Sequence, residues 1–121
     1  MNRITSALIA TLLTLGLSLP ASAGPFEDGQ AAYARADYAT ALRLWTPLAA
    51  QGNAPAQYNL GVMYAKGQGV AQDYVQAHKW FNLSAASGQA EAVKNRDIVA
   101  AKMTPAQIAE AQRLASVWQA K

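Results

Sequence analysis

The sequence predicts an all-α protein built from repeated helix pairs, on three observations: an internal repeat, a helix-favouring composition and no strand-like alternation. Shifting the chain by 36 residues lays DYATALRLWTPLAAQGNAPAQ (37–57) on DYVQAHKWFNLSAASGQAEAV (73–93) without a gap. Asp37 falls on Asp73, Tyr38 on Tyr74 and Gly52 on Gly88; the register continues through Asn59 on Asn95 and Lys66 on Lys102. Arg43 with Lys79, Trp45 with Phe81 and Val62 with Ile98 are conservative pairs. Alanine is common, so its matches carry little weight; the aspartate, tyrosine, glycine, asparagine and lysine matches carry the repeat. Self-similarity at this period marks stacked supersecondary units. Beta-branched residues are sparse and no stretch alternates apolar with polar, so each unit reads as two helices.

Helices are expected near 26–35, 38–51, 54–66, 73–87, 89–102 and 104–120. Asp37 and Asp73 stand at the starts of the second and fourth, where a carboxylate caps the first turn and meets the positive end of the dipole. Pro47 lies inside the second helix; it removes the hydrogen bond to the Arg43 carbonyl and is expected to bend that helix. Gly52 and Gly88 follow the second and fourth helices, where positive φ is wanted. Gly61 lies inside the third helix at a cost of ~1 kcal/mol relative to alanine, which implies close approach of a neighbour. Thr104, Pro105 and Gln107 form a start signal for the last helix, whose Ile108, Ala111, Ala115 and Trp118 share one apolar stripe.

The chain opens MNRITSALIATLLTLGLSLPASAGPF. A basic Arg3, the apolar run Ile4 to Leu19 and the small residues Ala21-Ser22-Ala23 have the order of a secretory signal, with cleavage expected after Ala23. The run falls short of the ~20 apolar residues of a spanning helix. The expectation is therefore a periplasmic or secreted chain starting at Gly24, with no stable membrane insertion after cleavage. The sequence contains no cysteine, so stability must come from helix packing in place of disulfides. With Arg3 removed, nine basic side chains face seven acidic ones. That balance is too mild and evenly spread to argue for nucleic acid.

The glycines of LGVMYAKGQGVAQDY (60–74) raise a phosphate-binding loop as a candidate. Such a loop follows a strand and precedes a helix; here a helix precedes Gly67 and Gly69, no Gly-Lys-Ser/Thr follows, and the glycines read as a turn. His78 is the sole histidine, without a cysteine partner or metal-ligand spacing to Asp or Glu, and reads as a partly exposed surface residue beside Lys79. Trp45, Trp80, Phe81 and Trp118 read as core. No catalytic, cofactor or metal site is expected, and the chain reads as a non-enzyme.

APAQYNLGVMYAKGQGVAQDYVQAHKWFNLSAASG (54–88) resembles one complete unit of the Sel-1-like repeat family, relatives of the tetratricopeptide repeats. The matching positions are Ala54 and Ala56, Leu60-Gly61, Tyr64, Gly67-Gln68-Gly69-Val70, Asp73, Ala77, Trp80-Phe81 and Ala85-Ala86-Ser87-Gly88. After the signal at 1–23, the repeat domain covers 24–121: a degenerate first unit at 26–53, the complete repeat, and a closing unit at 89–121. In the closing unit Arg96, Asp97 and Ala100 replace Leu60, Gly61 and Tyr64, as suits a capping unit facing water. The resemblance implies a short α-solenoid of three antiparallel helix pairs, no reaction, and a role as adaptor or scaffold for a protein or peptide partner.

By the same resemblance, the first helix of each pair lines the concave side. Ala56, Leu60 and Tyr64 form the inward stripe, leaving Asn59, Val62, Met63 and Lys66 on another face. The repeat carries these to Asn95, Ile98, Val99 and Lys102, which defines an expected partner-binding groove. Asparagine can pair with both polar groups of an extended peptide, and lysine attracts an acid. Two other readings stand beside the adaptor: an enzyme of unrecognised type acting on cell-envelope material, and a purely structural accessory subunit.

Overall fold

A computed structural model describes residues 23–121; the expected signal segment lies outside the described residues apart from Ala23. Among the described residues six helices follow one another: α1 Pro25–Ala34, α2 Tyr38–Ala50, α3 Ala54–Lys66, α4 Tyr74–Ala86, α5 Glu91–Ala100 and α6 Pro105–Val117. No strand occurs among the described residues. Each helix from α1 to α5 packs on its sequence neighbour, and α6 docks chiefly on α4, so the chain forms a short α-solenoid with α4 at its centre.

Side chains close the starts of α2, α3, α4 and α6. Asp37 accepts from the Thr40 amide at 3.3 Å, Asn53 from Ala56 at 2.8 Å and Asp73 from Gln76 at 3.1 Å. Thr104 and Gln107 complete a reciprocal capping box, at 3.2 and 2.9 Å, satisfying two otherwise unpaired donors. α3 ends at Gly67 with φ 68°, and Gly69 follows with φ 72°. Both lie in the left-handed region that glycine enters without a Cβ penalty. The turn they make presses on the first unit, because a Cβ on Gly69 would stand 3.0 Å from the Tyr38 carbonyl oxygen. Gly52 and Gly88 also have positive φ, 97° and 103°. α2 runs unbroken through Pro47.

One part of the core gathers Ala32, Ala41, Trp45, Ala49, Ala56 and Leu60 with Met63, Trp80 and Ala115. A second gathers Ala77, Phe81, Ala92 and Val99 between α3, α4 and α5. Gly61 packs directly beneath Phe81: an added Cβ would meet the ring at 2.5 Å. Gly29 in α1 holds the same relation to the Trp45 indole. Trp118 lies just beyond α6 but still packs against the first core region. There the chain leaves the helix, and the Lys121 amide donates to the Ala50 carbonyl at 2.8 Å. α6 therefore stops short of the expected residue 120, because the tail docks onto the end of α2.

His78 is not a surface residue: it is 3% exposed. α4 is covered by α3, α5 and α6, which leaves almost none of its faces to water. The His78 Nδ1 has no hydrogen-bond partner among the described residues. Burial, aided by the positive charge of Arg96 and opposed by Asp97, pushes its pKa below the usual histidine value. The unfolded chain therefore takes up the proton first as pH falls. The stabilising contribution is complete above about pH 6.5 and declines as pH drops through the unfolded value toward the lower folded one. Melting curves from about pH 7.5 to about pH 5 should show a fall that His78→Leu reduces; an equal slope in both proteins would show that other groups control the acid limb.

Candidate functional site

One face of the solenoid forms a concavity of ≈ 660 Å³, to which α1, α3 and α5 contribute side chains. Seven of the eight expected groove residues line it: Asn59, Val62 and Lys66 from α3, with Asn95, Ile98, Val99 and Lys102 from α5 and its C-terminal edge. The repeat thus places equivalent side chains side by side. Met63 is the correction. It is fully buried and belongs to the core with Leu60. On a helical wheel it stands only about 60° from Leu60, so it falls under the inward stripe once α2 and α4 close on α3.

The floor is aromatic, which the 36-residue comparison did not assign to the groove. Tyr33, Trp45, Tyr58, Tyr74 and Phe81 all reach it. Tyr33 and Trp45 have ring centroids 5.8 Å apart, and Tyr58 and Phe81 5.7 Å, so the rings brace one another at distances typical of aromatic pairs. The Trp45 Nε1 donates to the Phe26 carbonyl at 3.1 Å, which satisfies its one polar atom. Trp45 and Phe81 occupy equivalent positions in the repeat and are both 2% exposed. They are core side chains whose edges form the groove floor.

The rim is polar and holds its geometry by hydrogen bonds. Asn95 Nδ2 donates to the Tyr58 hydroxyl at 2.7 Å, joining α5 to α3. Gln72 Nε2 donates to the Tyr74 hydroxyl at 3.1 Å and to the Ala65 carbonyl at 2.8 Å. Tyr33 donates to Gln68 Oε1 at 2.8 Å, tying α1 to the turn after α3. Lys66 and Lys102 are exposed at the edge, the latter with its Nζ 5.8 Å from the Tyr74 ring centroid. Ile98 is 50% exposed. The groove thus combines a rigid apolar floor, amide groups able to pair with a peptide backbone, and two cations.

The Sel1 repeat family matches residues 25–53 and 54–89. The chain belongs to the Sel1 repeat family. Sel1 repeats are generally protein–protein interaction modules. Among solved structures, it is similar to a protective antigen present in uropathogenic Escherichia coli strains, whose crystal structure displays an SLR fold. That match has a TM-score of 0.74 and 31% sequence identity, and covers 78% of this chain and 21% of the antigen. This Sel1 repeat chain therefore spans about a fifth of the antigen's length. A comparison with curated proteins finds no match.

Within the Sel1 repeats, Gly61 and Gly29 have the same packing role, yet they are separated by 32 residues and not 36. The connection between α1 and α2 is four residues shorter than that between α3 and α4. It makes its turn with Ala36 at φ 61° in place of the two glycines. Shortening the turn breaks the register upstream of Asp37, which hides Gly29, Gln30 and Tyr33 from a fixed-shift comparison.

Proposed function

We propose that this Sel1 repeat protein is a periplasmic, non-catalytic adaptor that holds an extended segment of a protein partner in the concave groove. The observation that carries this reading is the groove itself, where Asn59 and Asn95 stand at equivalent positions above an aromatic floor. Repeated amides over a fixed apolar surface suit the backbone and side chains of an extended peptide. Braced rings lose little freedom on binding, which lowers the ordering cost. The order of charged, apolar and small residues before Gly24 supports export. No described helix is long and apolar enough to cross a membrane.

The test is photo-crosslinking in the cell from Val62 or Ile98, followed by mass spectrometry of the adduct. A single protein partner should be captured on a chain that begins at Gly24. The double variant Asn59→Ala, Asn95→Ala should bind that partner about tenfold more weakly, from two lost hydrogen bonds. Its helicity should be retained and its melting temperature should move by a few degrees at most. Undiminished affinity in the folded variant would transfer the binding surface to the convex side.

A further inference from the structure

We infer that the segment held in the groove is acidic, with an apolar side chain on the floor and carboxylates at the Lys66–Lys102 edge. This rests on the reading of the groove as a protein-binding site and adds the chemistry of the ligand.

The polarity of the lining carries the inference. Lys66 and Lys102 are its charged groups, and no aspartate or glutamate lines it. Neither lysine forms an ion pair among the described residues. The tyrosines reinforce the same sign. The hydroxyls of Tyr58 and Tyr74 each already accept an amide N–H, from Asn95 and Gln72. One lone pair of each oxygen is thereby engaged, and neither hydroxyl donates to an acceptor among the described residues. Two O–H donors and two ammonium groups thus face one concavity without an anion. An occupant supplies the missing acceptors best if it carries negative charge, and hydrogen bonds to an ionised acceptor are the stronger kind.

The floor sets the second requirement. Ile98 and the edges of Trp45 and Phe81 offer apolar surface beside these donors, so a purely charged ligand would leave that area unused. A peptide also presents backbone groups to Asn59 and Gln30, which a lipid headgroup does not.

The experiment uses the protein as purified from the cell and an array of short peptides. Each peptide carries one photoreactive aromatic residue, and net charge runs from acidic through the Asn/Gln analogues to basic. Acidic members should crosslink to Val62 or Ile98 and bind about fivefold more tightly than their amide analogues at low ionic strength, with the advantage shrinking in salt. The double variant Lys66→Ala, Lys102→Ala should abolish that advantage while its circular dichroism is unchanged. Equal crosslinking of the amide analogues into the groove would overturn the acidic preference and leave the groove reading standing. Crosslinks only outside the groove, or none, would overturn both. Lysine-dependent binding to phosphatidylglycerol vesicles in preference to every peptide would also overturn the inference, assigning the cations to a lipid surface.

Discussion

Gly61→Leu is expected to lower the melting temperature by about 10–20 °C, from overpacking of about 2–3 kcal/mol in a domain of this size. A helix interior ordinarily gains about 1 kcal/mol when glycine is replaced by alanine. Here the first added carbon would stand 2.5 Å from Cε1 and 2.6 Å from Cδ1 of Phe81. The ring has little room to yield, since Phe81 is 2% exposed and Tyr58 packs at 5.7 Å between centroids. Relief would have to come from separating α3 and α4, which meet along their length around this contact. Thermal melts of the folded variant give the answer, and an unchanged or raised midpoint would show that the two helices are free to separate. Because Phe81 also forms part of the groove floor, the same variant should bind the partner less tightly.

The second large effect is at Trp45. Truncation to alanine is expected to destabilise the protein by about 3–5 kcal/mol, a large share of the ~5–15 kcal/mol typical of a domain. The indole is buried against Phe26 and Tyr33, and a cavity would open between α1 and α2. Gly29 makes the test sharper. An added Cβ there would stand 2.7 Å from Cε2 and 2.8 Å from Cδ1 of Trp45. Gly29→Ala should therefore destabilise the native protein but stabilise the Trp45→Ala variant, where the clash is gone and helix propensity remains. Urea denaturation of the four proteins measures the coupling. Strict additivity would mean that Gly29 is retained for another reason.

Much of the architecture was legible along the chain because its causes are local. Capping by Asp37, Asp73 and Thr104 depends on a side chain and an amide three residues away. The turn after α3 needs positive φ, and Gly67 and Gly69 supply it. The repeat also brought Asn59 with Asn95, and Lys66 with Lys102, to one face, since equal spacing on stacked helices produces equal direction. Other features depended on what covers each helix. Met63 and His78 could occupy solvated faces of isolated helices, but α3 lies between α2 and α4, and α4 touches three neighbours. The aromatic floor is core seen edge-on, so composition does not separate Trp45 and Phe81 from ordinary packing residues. α6 ends where its tail finds the Ala50 carbonyl, a partner far away in sequence. Local chemistry along the chain sets the helices, their caps, their turns and the repeated face. Burial, and with it the groove's floor and the protonation of His78, was decided only when the helices closed on one another, because exposure belongs to the assembled packing and not to any one segment.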